Sequence, residues 1–145
     1  EMQMFGLVSE FARRSDILKM SEEELLWLTQ TDCLSSACER LADFPARLKI
    51  ITRCADGAIA FWQNHRLTLR GYHVDSIDTT GAGDTFCAST LNYVLEHGLD
   101  DLTDENLAEL LTFANAAASL ITTKKGALRV MPTRDEVLDF IASRK

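Results

Sequence analysis

No stretch of the 145 residues stays apolar long enough to span a bilayer, and the first residues carry no basic, apolar, small-residue leader, so a soluble, cytoplasmic protein is the expectation. The four cysteines, Cys33, Cys38, Cys54 and Cys87, include neither a CxxC pair nor the His spacing of a zinc site. They are expected as reduced thiols without a shared role. Basic residues are outnumbered, 15 Lys and Arg against 22 Asp and Glu, and the net charge of −7 argues against a nucleic-acid or acidic-membrane surface. A local pocket can still take a nucleotide, but two familiar nucleotide motifs are missing. There is no Gly-Lys-Ser/Thr of a Walker P-loop, and Gly81-Ala82-Gly83 lacks the third glycine of the dinucleotide fingerprint. Internal repeats, linkers and low-complexity tracts are lacking too. What remains, 46% hydrophobic and 26% charged, is the composition of one globular domain across residues 1–145.

The pattern of apolar residues sets the order of elements. Met4, Phe5, Val8 and Phe11 recur at helical spacing and close on Arg13 and Arg14, and residues 16–20 read as a short buried strand. Ser21 with Glu24 forms a capping box ahead of Leu25, Leu26 and Leu28, and Ser36 with Glu39 is expected to repeat it. Residues 48–52 read as a compact strand, and the order helix, strand, helix, helix, strand favours a parallel α/β sheet. Residues 58–62 and 66–69 read as a hairpin at the sheet edge. Tyr72, Val74 and Ile77 predict a further strand, followed by a helix that Gly98 stops. A second helix follows from Thr103, with a stripe from Leu107 to Ile121, and a last one is capped by Thr133 and Glu136.

The chemistry concentrates in residues 78–84, Asp-Thr-Thr-Gly-Ala-Gly-Asp. A Gly-Ala-Gly turn there opens a helix, whose free N–H groups favour an anion and whose glycines let a ligand approach. A carboxylate at Asp84 repels that anion unless it has another task, such as accepting a proton from an attacking hydroxyl. The pairing suggests phosphoryl transfer. On spacing alone, a tight strand-to-helix turn with Asp84 complementing the helix dipole remains the alternative.

The full string Asp78-Thr-Thr-Gly-Ala-Gly-Asp-Thr-Phe86 resembles the carboxy-terminal signature of the ribokinase-like (PfkB-type) sugar kinases. Other segments are similar in order and spacing: Asp16-Ile-Leu-Lys-Met-Ser-Glu-Glu-Glu24, Ile51-Thr-Arg-Cys-Ala-Asp-Gly-Ala58, Ala114-Asn115-Ala116, Lys125-Gly126-Ala127 and Met131-Pro132-Thr133. The style of the first and the last looks most like fructokinases. The resemblance implies a ribokinase-like, Rossmann-type three-layer αβα fold, of which this chain is the carboxy-terminal half, with a mostly parallel sheet and an edge β-hairpin. It implies Asp84 as the base that deprotonates a sugar hydroxyl attacking ATP, with Gly81, Ala82 and Gly83 shaping, together with Asp84, the anion hole. It puts the nucleotide against Thr52, Gly57, Thr80, Asn115 and Gly126. Glu24 would hold Mg²⁺ through water, and the Asp78 carbonyl would belong to a monovalent-cation (K⁺) site.

Each assignment has a plainer reading. Ser21 and Glu24 are explained by capping alone, Asn115 can be a polar residue on a helix face, and Thr52 a β-branched strand residue. Cys54 stands where the family usually has Gly, a departure expected to crowd the phosphates or alter nucleotide affinity. Members run to about twice this length, with the lid and most of the sugar site in the part preceding the segments matched here, and the chain starts at Glu1 rather than Met. The expectation is a piece of an ATP-dependent fructokinase-like enzyme whose partners are ATP and a small sugar, with a homodimer or a missing amino-terminal half as the protein partner. The alternative is an inactive nucleotide-binding module or a partner-dependent half-enzyme.

Overall fold

The computed structural model describes residues 2–144. Helix α1 (Met2–Arg14) leads to strand β1 (Ile17–Ser21), helices α2 (Glu22–Thr29) and α3 (Leu34–Arg40), strand β2 (Leu48–Thr52), and the hairpin β3 (Ala58–Trp62) and β4 (His65–Leu69). Helices α4 (Ala82–His97), α5 (Asp104–Thr122) and α6 (Arg134–Ala142) follow. The sheet order is β1-β2-β3-β4. β1 and β2 are parallel, whereas β2–β3 and β3–β4 are antiparallel. Parallel pairing is thus confined to β1–β2. Residues 53–57 are too short for a crossover, which needs a dozen residues or more, so β3 must turn back along β2.

Alternation of side chains along the strands makes three layers. Leu48, Ile50, Ala58, Ala60 and Trp62 pack under α4 and α5 against Phe86, Leu107, Leu110 and Leu111. Ile51 and Ile59, one residue out of phase, face Leu25, Leu28, Ala37 and Leu41 from α2 and α3 and the turn that follows them. The αβα sandwich follows from period-2 strands whose two faces are both apolar. Each fully buried Leu or Ile contributes about 1.5–3 kcal/mol of apolar burial.

Local signals are honoured at most helix starts. Ser21–Glu24 and Thr133–Glu136 form reciprocal capping boxes, and Thr103 caps α5 with Asn106 as its partner. The box expected at Ser36 and Glu39 does not form. α3 begins at Leu34 with Cys33 at its N-cap, which places Ser36 inside the helix, where its hydroxyl accepts from the Cys33 thiol at 3.2 Å. Helix α1 forms as expected but leaves Met4, Leu7 and Phe11 exposed. Met4 and Phe11 flank an open groove of about 510 Å³ beside β1, the strand at the end of the sheet.

The strand expected at residues 72–77 is absent. The segment runs extended along α5 instead of joining the sheet. Asn115 Nδ2 donates to the Arg70 carbonyl (3.4 Å), Ser119 Oγ to the Tyr72 carbonyl (3.4 Å), and the Ile77 and Asp78 N–H groups to the Thr122 carbonyl (2.8 and 3.1 Å). Polar groups of one helix satisfy the backbone that a neighbouring strand would otherwise satisfy.

Between β2 and β3 the backbone takes conformations that side chains resist. Gly57 has φ of 93° and ψ of −132°, and a Cβ there would lie 2.1 Å from the Leu69 carbonyl oxygen and 2.5 Å from the Gly71 nitrogen. Cys54, at φ of 50°, occupies the left-handed region, where glycine is the favoured residue. Gly57→Ala is expected to destabilise the fold by about 3 kcal/mol, because backbone on the facing strand must move. Urea unfolding of the variant checks this, and an unchanged midpoint would contradict it.

Candidate active site

The site is built at the start of α4. Gly81 precedes the helix at φ of 81° and ψ of 0°, and a Cβ on it would press within 3.2 Å of the Ala127 Cβ. Both the conformation and the contact call for glycine. No side chain caps α4. The Ala82 N–H donates to the Thr79 carbonyl at 3.2 Å and the Thr85 N–H to the Gly81 carbonyl at 2.9 Å. The N–H groups of Gly83 and Asp84 find no acceptor among the described residues. Two donors and the positive end of a 16-residue helix therefore face outward, and the Asp84 side chain is exposed in the same turn.

Asp78 holds this turn in place. Its Oδ1 accepts from the Thr80 N–H at 2.9 Å and its Oδ2 from the Gly126 N–H at 3.1 Å. Hydrogen bonds from Thr80, then that from Gly126, then the nearby Lys125 charge, hold its carboxyl below the usual carboxylate range. One side chain thus joins the turn before α4 to the loop after α5. Spacing does not indicate this role, and the family resemblance points to the Asp78 carbonyl instead; that carbonyl accepts no backbone hydrogen bond among the described residues.

The remaining candidates fall into separate neighbourhoods. Thr52 ends β2, with its hydroxyl donating to the Met20 carbonyl at 3.4 Å. Gly57 rests on the end of β4, and the segment after it, at Arg70, is held by Asn115, which is only 5% exposed. Thr80 and Gly126 join the Asp78 clamp. Glu24 lies apart from them on α2, its Oε2 accepting the Ser21 N–H at 2.7 Å. The plainer readings of Glu24 and Asn115 thus describe real contacts. Among the described residues no three His, Cys, Asp or Glu side chains gather as a metal cage, and the cysteines are free. Two residues escaped sequence reasoning. Thr85 lines the cavity among α4, α5 and α6, and its buried hydroxyl has no hydrogen-bond partner among the described residues. Lys19 reaches α4 from β1, although no sequence spacing links the two.

Residues 2–134 match the family described as pfkB family carbohydrate kinase. The chain belongs to that family. A fructokinase of Vibrio alginolyticus is 31% identical over 141 residues, covering 97% of this chain and 46% of the relative. A double mutant of the fructokinase from Vibrio cholerae O395, solved in its fructose, ADP and potassium ion bound form, superposes with a TM-score of 0.87 at 29% identity over 97% of this chain and 45% of that one. The ribokinase of Arabidopsis thaliana, complexed with ribose and ATP, matches at 0.77 and 31% identity, over 92% of this chain and 43% of its own. The chain therefore has a ribokinase-like fold and spans less than half the length of each of these three proteins. No helix among the described residues is long and apolar enough to cross a membrane.

The clamp makes the site of this pfkB-family chain acid-sensitive in a defined direction. Because the Asp78 carboxyl is lowered by bonds made only in the fold, its stabilisation is complete at neutral pH and lost as pH falls through the ordinary carboxylate value of about 3.9 and on through the lower folded value. Amide exchange at Thr80 and Gly126, corrected for intrinsic rates, is expected to lose protection over that range and to lose it at neutral pH in Asp78→Ala. Protection that is independent of pH and unchanged in the variant would contradict the clamp.

Proposed function

We propose that this chain is the nucleotide-binding and catalytic part, carboxy-terminal in the whole protein, of an ATP-dependent sugar kinase whose acceptor is fructose or a related ketose. The observation that carries the reading is the exposed Asp84 carboxylate in the turn whose Gly83 and Asp84 N–H groups are unpaired among the described residues. Membership of the pfkB family supports the reaction class, and fructokinases at about this identity support the ketose.

In the reaction, a sugar oxygen bonds to the γ-phosphorus while the bond from that phosphorus to the β–γ bridging oxygen breaks. The hydroxyl proton passes to the Asp84 carboxylate, and ADP leaves with the bridging electron pair. The Gly83 and Asp84 N–H groups bind the equatorial oxygens of the transferring group, Gly81 shapes the turn, and Ala82 contributes through its bond to Thr79 rather than through a free donor. Thr52, Gly57, Thr80, Asn115 and Gly126 border the nucleotide, Asn115 by holding the Arg70 segment.

Mg²⁺ keeps most of its waters and binds chiefly to nucleotide phosphates, so a single carboxylate such as Glu24, exposed and with its Oε1 outside the capping bond, fits an outer-sphere role. Bound there, the ion would offset phosphate charge. The Asp78 carbonyl, with no backbone donor upon it, fits a K⁺ ligand.

A second reading, a nucleotide-binding module or half-enzyme active only with a partner, is favoured by the groove beside β1 and by exposed Met4, Leu7 and Phe11. A second copy or the rest of a longer protein would supply that cover. Calorimetry of the chain with ATP–Mg²⁺, with and without fructose, separates the readings: nucleotide binding without sugar binding or turnover favours the module. In the protein that carries this chain, Asp84→Ala is expected to lower fructose phosphorylation at least about 1,000-fold while leaving ATP affinity within a few-fold. Near-normal turnover would remove Asp84 from the role of base.

A further inference from the structure

The register of β1 contains an exception. Strands covered by helices on both faces are largely apolar, and Ile17-Leu18-Lys19-Met20-Ser21 is so except at Lys19 and at Ser21, which caps α2. Alternation puts Lys19 on the face of Ile17, which packs against the cluster beneath α4 and α5, while Leu18 and Met20 face α2. A lysine at such a position runs its stem along apolar neighbours and brings its charge out where the cover ends. Here the cover ends at the start of α4. A methyl group built on Gly83 would lie 3.3 Å from the Lys19 Nζ, which puts the ammonium against the Gly83 backbone, the residue with one of the two unpaired N–H groups.

Among the described residues Lys19 enters no ion pair. Asp84 is only one residue beyond Gly83, yet among the described residues its carboxylate forms no ion pair with this ammonium or any other cation. Lys19 also answers the difficulty that a carboxylate at an anion site raises. Asp84 alone repels a phosphoryl group, whereas Asp84 with Lys19 leaves the turn neutral and the helix end attractive.

We propose that Lys19 is a further catalytic residue of this site: its ammonium, beside the Gly83 and Asp84 N–H groups, binds the phosphoryl group during transfer and offsets the Asp84 charge. The assignment rests on the sugar-kinase reading above. In the bond exchange already described, it holds charge on the oxygens of the transferring group and neither gives nor takes a proton. A short backbone-only approach at Gly83 suits it, since a side chain there would push the ammonium aside.

The test uses Lys19→Met, which keeps the stem, and Lys19→Arg, which keeps the charge, in the protein that carries this chain. Lys19→Met is expected to lower kcat with fructose and ATP–Mg²⁺ about 100-fold, with KM for ATP within about threefold. Lys19→Arg should recover at least about a tenth of the wild-type rate. Affinity for ADP with aluminium fluoride, a mimic of the transferring group, should fall at least about tenfold in Lys19→Met while affinity for ADP alone is unchanged. Wild-type kcat and unchanged aluminium fluoride binding in Lys19→Met would overturn the proposal and leave the kinase reading standing. Equal losses in both variants, accompanied by a lowered Tm and weaker ADP binding, would make Lys19 structural and also overturn it. A wild-type protein that neither binds ATP nor phosphorylates a sugar would refute the kinase reading itself, and Lys19's role with it.

Discussion

Two backbone N–H groups, one from the turn before α4 and one from the loop after α5, meet on the Asp78 carboxylate, and the geometry of the candidate site depends on that meeting. An ionised carboxylate accepting two amide donors is a strong, directional anchor. It sets where residues 79–81 end and hence where α4 begins. Gly81 can then take its left-handed conformation against Ala127, and the first turn of α4 is aimed with its Gly83 and Asp84 donors outward. Without the anchor, the same sequence would still make a helix, but nothing local would aim its end.

Helix α5 extends that constraint over the molecule. Its inner stripe of Leu107, Leu110, Leu111 and Ala114 is buried against the sheet, and its polar groups at Asn115, Ser119 and Thr122 carry the chain from Arg70 to Asp78. Tyr93 on α4 donates to Glu109 at 2.9 Å, which ties the two helices on a further face. The glycine turn is therefore held from behind by apolar packing and from the side by hydrogen bonds. Preorganisation of this kind is what an anion hole needs, because donors that are already aimed do not have to reorganise as charge develops.

Charge is divided at this end of the sheet rather than paired. Asp78 takes backbone donors, Asp84 takes none of the described cations, and Lys19 emerges beside Gly83 without a carboxylate partner. Elsewhere some surface charges combine, as Arg134 with Glu96 and Arg53 with Glu22 do, while Lys49 and Lys125 enter no ion pair among the described residues. Beside β1, exposed apolar groups on α1 border a groove that Lys19 also lines, in a chain that spans 46% of the Vibrio alginolyticus relative.

Much of this was legible in residue order because its causes are local. A Ser or Thr three positions before Glu satisfies helix-end donors without reference to the rest of the chain, so Ser21–Glu24 and Thr133–Glu136 cap as read. The Gly-Ala-Gly turn, the hairpin at 58–69 and the family's signature are local in the same sense. Local signals also misled. Ser36 and Glu39 have the spacing of a box, but the helix starts earlier, and residues 72–77 alternate like a strand yet find their partners on α5. Only tertiary structure could decide those cases, and it alone brought Lys19 to Gly83 and Gly126 to Asp78. The sequence by itself determined which elements form and which family they make. Packing decided which distant groups meet, because an unpaired strand edge, a half-buried lysine or a free amide accepts whatever partner the assembled layers bring within reach.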